Sequence, residues 1–125
     1  MNRKKLVVCV DGVCTKDGKF LLLKRSVEPF KGKWHVPGGH VEDNEPLKEA
    51  LKREFKEETN LTINVGDIIA YRTEETADQT KIIIAFQVTP LTTQIQLNSE
   101  HDAHGWFTQF PEDCVYNYQK HLQPL

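Results

Sequence analysis

One segment of this 125-residue chain, Pro46 to Glu58, carries a helical period, and it stands alone among stretches rich in β-branched residues. Strand candidates precede it at Leu6–Val13, Lys19–Lys24 and Trp34–Val36. Others follow at Leu61–Arg72, Lys81–Val88 and through Trp106-Phe107. Asp17-Gly18 reads as a hairpin turn, Ser26–Gly32 as a loop and Pro37-Gly38-Gly39 as a turn. Thr73–Thr80 reads as a solvated polar loop, and Pro111–Tyr118 as the start of a short terminal helix. Pro46 suits a first helical turn, with Asn44 or Asp43 as the cap. Strands on both sides of a single helix predict a layered α+β or mixed α/β domain. With no repeat and no Pro/Gly/Ser linker, residues 1–125 are expected to form one domain.

The helix breaks its own pattern. At 100° per residue with Glu45 at zero, Leu47, Ala50, Leu51 and Phe55 fall at about 200°, 140°, 240° and 280°, an apolar face. Glu54, Glu57 and Glu58 fall at about 180°, 120° and 220°, on that same face. Acids at a helix C-terminus oppose its dipole, by roughly 0.3–1 kcal/mol each. Glu54 also repels Glu58 at i, i+4 and Glu57 at i, i+3. Either this last turn projects into water, or the three carboxylates are gathered for a divalent cation. Hard oxygen donors in that number suit Mg²⁺ or Mn²⁺. Arg53, at about 80°, flanks the cluster. It either orients one of the carboxylates or makes an ordinary surface i, i+4 pair with Glu49 or Glu57.

Composition narrows the alternatives. Sixteen basic residues against eighteen acidic ones give a net charge of −2, which argues against an electrostatic grip on nucleic acid. The apolar run Ile82–Phe86 is far too short to span a bilayer. The basic start Met1–Lys5 leads into an apolar stretch halted by Asp11, so no signal peptide is expected. Cys9, Cys14 and Cys114 are odd in number and lack metal-ligand spacing. They read as plain thiols of a reducing compartment, which points to a cytoplasmic address. Cys9 and Cys14, five apart, should face opposite sides of a strand.

Gly39, five residues, Glu45, seven residues, then Arg53-Glu54-Phe55-Lys56-Glu57-Glu58-Thr59-Asn60-Leu61 together resemble the Nudix box over 23 residues. All five charged positions match. The resemblance extends to Leu21-Leu22-Leu23 and Arg25, to Gly32, Trp34 and Pro37-Gly38-Gly39, and to Trp106-Phe107 with Glu100 upstream. Asn60 replaces the box glycine after the helix, where αL geometry is expected and Asn substitutes best. Phe55 replaces an aliphatic residue.

The resemblance implies an α/β/α sandwich with a mixed sheet and one box helix. It implies hydrolysis of a pyrophosphate bond in a nucleoside diphosphate linked to another moiety. It places Mg²⁺ or Mn²⁺ on Glu54, Glu57 and Glu58 with the Gly38 carbonyl. The general base is then Glu54, Glu57 or, outside the box, Glu100, which otherwise is a plain loop acid. Among substrate contacts it places Gly39 and Arg25, the latter toward a phosphate unless it is an ordinary strand-end arginine. Trp34 is a core anchor or a base-stacking wall. His35 and His40 flank the Pro-Gly-Gly turn and are set aside as substrate contacts, and His101 and His104 read as solvated loop residues rather than a metal pair. The partner is a small-molecule nucleotide, with no nucleic acid or membrane, and the chain is a monomer or homodimer. Alternatives are a non-hydrolytic nucleotide-binding module of the same fold, or isomerase-type metal chemistry. Four subfamily signatures were sought for substrate. The ADP-ribose hydrolase proline would fall at Thr76, and the dinucleoside polyphosphate tyrosine near Ala77. A Ser-Gln-Pro-Trp run is missing, and the coenzyme A pattern is only partly echoed in Leu22–Ser26. The chain's small size favours a compact substrate such as a nucleoside triphosphate or nucleotide sugar.

Overall fold

The computed structural model describes residues 4–122; Met1–Arg3 of the basic start lie outside them. Seven strands and one α-helix follow in the order β1 (Lys5–Lys16), β2 (Lys19–Arg25), β3 (Trp34–His35), β4 (Gly38–His40), α1 (Leu47–Thr59), β5 (Ile63–Glu75), β6 (Gln79–Pro90) and β7 (His101–Phe107). The sheet is mixed, in the order β3-β2-β1-β6-β5, with β4 on β1 and β7 on β2. Only β1 and β6 run parallel, from Lys5↔Gln79 to Cys14↔Val88. The expected mixed sheet with a single box helix is what the chain forms.

Strand alternation explains the two layers of core. Val10, Cys14, Leu21 and Leu23 face α1, where Ala50, Leu51 and Phe55 are buried with them. Val13, Phe20 and Leu22 face the other way, onto Phe110, Tyr118 and the C-terminal segment. Cys14 and Cys9 thus lie on opposite faces of β1, and all three thiols are free. Gly12 is where α1 crosses β1. A Cβ there would strike the Phe55 ring and Val88, so the close approach of helix to strand needs glycine.

The αL expectation holds. Asn60 has φ 68°, and its N–H donates to Lys56 O at 3.0 Å, closing the helix. The hairpin at Asp17-Gly18 is also as expected, with φ 52° and 76°. Four readings are corrected. The N-cap is Pro46, without a side-chain cap bond; Asn44 and Asp43 lie outside the helix, in the turn that Glu42 and Glu45 close on each other. Gly38-Gly39 is strand rather than turn, because β1 pairs with it from Cys9↔His40 to Asp11↔Gly38. The Thr73–Thr80 loop shrinks to Thr76–Asp78, since β5 and β6 extend as a polar hairpin with Glu75 opposite Thr80. Pro111–Tyr118 does not start a helix. Its backbone bonds to β3 instead, with Val115 N–H donating to Trp34 O at 2.8 Å, and only Gln119–His121 turn as 3₁₀. Among the described residues no helix is long and apolar enough to cross a membrane.

Candidate active site

A cleft of about 570 Å³ runs from the C-terminal half of α1, past β4, to the face of β1 that carries Cys9 and Asp11. Its helix end holds the box carboxylates. Glu58 is buried at 6% exposure and accepts the Gly38 N–H on Oε1 at 3.0 Å. Glu54 is mostly buried and lies against Gly39, where a Cβ would sit 2.5 Å from its carboxyl group. Glu57 is half exposed. The wet-helix-end alternative therefore fails for Glu54 and Glu58, which turn inward as the wheel predicts.

Arg53 organises these acids. Its Nε and Nη2 donate to both oxygens of Glu45, at 2.8 and 3.0 Å. Nη1 donates to Glu54 at 2.9 Å and to Glu57 at 3.3 Å, and Nη2 also donates to His40 O at 2.9 Å. A planar five-donor fork is needed for this, which lysine cannot supply. The guanidinium holds Glu45 down at about 2. Glu45 matters as the partner of Arg53, a role its box position hinted at. The expected Glu49 partner bonds Lys52 instead.

The electrostatics at this end are unbalanced. Burial pushes Glu58 well above the usual carboxylate range, the Gly38 N–H opposes it, and Glu54, Asp11 and Glu100 push it further up. Burial raises Glu54 as well, against Arg53. No basic side chain pairs with Glu58 among the described residues. A buried carboxylate facing other carboxylates, all hard oxygen donors, is a donor set that fits a divalent cation. Among the described residues no three His, Cys, Asp or Glu side chains already close around one point, because Glu54 and Glu57 are turned toward Arg53.

The remaining expectations divide. Glu100 lines the cleft opposite the box, and its carboxylate has no hydrogen-bond partner among the described residues. Arg25 and Gly39 line it too. Arg25 Nε is engaged within its own loop, donating to Pro29 O at 2.8 Å and Val27 O at 3.4 Å. Trp34 is not among the lining residues. It packs edge-on against Phe107, centroids 4.9 Å apart, as the core-anchor alternative expects. His35 lines the cleft, and His40 does so with an exposed side chain. His104 is exposed as expected, but His101 is 4% exposed and bonded to His35.

The far end of the cleft was not visible from sequence. Tyr118 donates to Asp11 Oδ2 at 2.6 Å, Arg72 Nη2 lies 3.7 Å from the same oxygen, and the guanidinium stacks 4.2 Å from the Tyr116 ring centre. Burial pushes Asp11 up to about 6, with Tyr118 and Arg72 opposing. A lone acid inside the β-branched run Leu6–Val13 was the only signal for this group.

Comparison with known proteins agrees with this geometry. The family model for the NUDIX domain matches residues 3–119. Nucleoside triphosphatase NudI of Escherichia coli K12 is 30% identical over 127 aligned positions, covering 91% of this chain and 87% of that one. ADP-ribose pyrophosphatase of Methanocaldococcus jannaschii is 50% identical over 62 residues, half of this chain and 37% of that enzyme. The crystal structure of a MutT NUDIX hydrolase from Burkholderia pseudomallei superposes with a TM-score of 0.82 at 24% identity, over 90% of this chain and 92% of that one. That likeness bears on fold alone. With a family match across nearly its whole length, a mixed sheet of the same shape and Arg53, Glu54, Glu57 and Glu58 of the box lining one cleft, this chain belongs to the Nudix hydrolase family.

Proposed function

We propose that this chain, acting as one unit over residues 1–125, hydrolyses a pyrophosphate bond in a nucleoside diphosphate derivative, with Mg²⁺ or Mn²⁺. The observation that carries the reading is the buried Glu58, which no basic side chain pairs with among the described residues, beside Glu54 and Gly38 at one end of the cleft. Glu54, Glu57, Glu58 and the Gly38 carbonyl would hold the cation, the first two by leaving Arg53. When bound, the ion would screen the pyrophosphate and stabilise the charge growing on the leaving phosphate.

The chain's own residues do the rest. Glu100 is the lining carboxylate with no partner to hold its lone pairs, and it takes the proton from the attacking water. Glu54 and Glu57 are less available for that step because their oxygens would be engaged in holding the cation. Arg53 keeps the acidic turn in one arrangement against Glu45 and the His40 carbonyl. Arg25 braces the loop at the cleft mouth through Pro29 and Val27. Gly39 leaves room for the Glu54 carboxyl.

Nucleoside triphosphates come first among substrates. The relative named for that activity aligns over 91% of the chain. The relative named for ADP-ribose aligns over half, and Thr76 stands where that subfamily's proline is expected. The free thiols suit a cytosolic address.

A panel of nucleoside triphosphates, ADP-ribose and nucleotide sugars, with Mg²⁺ or Mn²⁺ and with EDTA, tests the reading. Metal-dependent release of phosphate or pyrophosphate is expected, together with a loss of orders of magnitude in kcat in Glu57→Gln. Nucleotide binding without turnover across the panel would replace the hydrolase by a binding module.

A further inference from the structure

Two histidines, the buried His101 and the half-buried His35, take no part in the chemistry above. His35 Nε2 lies 2.9 Å from His101 Nε2, although the residues are 66 apart in sequence. His35 Nδ1 lies 2.7 Å from Val36 O, which only accepts, so that nitrogen carries the proton and Nε2 accepts from His101. His101 Nε2 therefore donates. Its Nδ1 lies 2.8 Å from the Asn98 Oδ1 position. With both rings neutral, the Asn98 amide is turned end for end so that its NH₂ donates to Nδ1. Burial does hold both imidazoles neutral, each pushed down to about 4.

This chain of bonds begins and ends on Glu58. Asn98 N–H is directed at the Glu58 backbone carbonyl, at 3.4 Å, and Gln96 N–H donates to Thr59 O at 2.9 Å, so the segment before β7 is seated on the last turn of α1. At the other end, Val36 leads through Pro37 to Gly38, whose N–H donates to the Glu58 carboxylate. Glu100 lies between Asn98 and His101 in sequence. Its backbone carbonyl accepts from Ser26 N–H at 2.8 Å, and the Ser26 hydroxyl donates to Ser99 O at 2.8 Å. The Glu100 carboxylate is free while the backbone on either side of it is tied down.

We propose that His35 and His101 are positioning residues, a clasp that sets the Glu100 carboxylate in register with Gly38 and Glu58 across the cleft. This rests on the hydrolase reading, with Glu100 as the base. A misplacement of about 1 Å in such a group costs on the order of 100-fold in rate. The clasp acts through Glu100 and touches no reacting atom.

The test replaces both rings by phenylalanine, His35→Phe/His101→Phe, which removes both partners together and leaves neither buried nitrogen orphaned. His101→Gln, which keeps a donor toward His35, is the conservative control. In the wild-type background the double variant should lose about 10- to 100-fold in kcat, with KM within a few-fold and a cooperative melt retained. His101→Gln should recover much of that loss. In a Glu100→Gln background the same double change should cost nothing further, because the residue it positions is already disabled. Undiminished kcat in the folded double variant overturns the clasp, as does an equal fall in both backgrounds. Full activity in Glu100→Gln overturns it too, while leaving the hydrolase reading intact. A wild type that turns over nothing fails that reading first, and the clasp's catalytic role with it. Imidazole ¹⁵N shifts of the metal-free protein give a readout independent of turnover. They should show His35 protonated on Nδ1 and His101 on Nε2 at neutral pH, and any other tautomer pair overturns the proposal.

Discussion

In the metal-free protein, Glu58→Gln should raise stability while destroying turnover. Glutamine keeps the shape and the Oε1 acceptor that Gly38 uses. It removes a charge that is buried at 6% exposure and repelled by Glu54 one turn away. The i, i+4 repulsion is worth about 0.2–0.5 kcal/mol, and an anion in the last helical turn a further ~0.3–1 kcal/mol. Relief of about 0.5–1.5 kcal/mol follows before any desolvation is counted, or a Tm rise of ~2–6 °C for a chain this size. Glu58 has its folded pKa raised above the ordinary 4.5. Its contribution to wild-type stability is therefore complete below that pH and is lost as pH climbs through the raised value. The advantage of the glutamine variant should be near zero at pH 4 and should grow as pH rises through the raised value. Millimolar Mg²⁺ or Mn²⁺ should reverse the order, since a cation bound only by the fold adds ~2.7 kcal/mol at a hundred times Kd. Thermal melts of both proteins in EDTA and in metal, from pH 4 to pH 8, make the measurement. A variant less stable than wild type at every pH, or a difference that does not change with pH, refutes the buried-charge argument.

Other substitutions probe the supports of the site. Arg53→Lys keeps the charge but loses the two-pronged bond to Glu45 and the reach to Glu54, so kcat should fall tenfold or more while melts shift little. Gly39→Ala puts a Cβ 2.5 Å from the Glu54 carboxyl; steady-state assays should show activity falling well before urea melts show instability. Asn60→Gly relieves αL strain but frees the unfolded chain by ~0.4–1 kcal/mol, leaving little net change. Asn60→Val should cost more than ~1 kcal/mol in urea melts, because a β-branched residue resists a φ of 68°.

Sequence alone determined what depends on near neighbours along the chain. The inward acids of α1 follow from the 3.6-residue period, the hairpin from Asp17-Gly18, and the αL exit from an Asn just past a helix. The box spacing named the family because four of its charged residues sit on one helix and the fifth, Glu45, in the turn just before it. Polarity misled where it stood in for geometry: the β5–β6 hairpin is polar because it is exposed on both faces, and Gly38-Gly39 are strand because β1 pairs with them, and glycine because the Val10 carbonyl, Asp11 and the Glu54 carboxyl lie where side chains would be. Only the tertiary structure decided which distant groups meet. Tyr118 reaches Asp11 across 107 residues, and His101 reaches His35 across 66. Those pairs depend on β7 lying antiparallel on β2 and on the C-terminal segment packing over the far face of the sheet. Local propensity carries no record of that packing, because the buried polar bonds it makes arise only after the layers close.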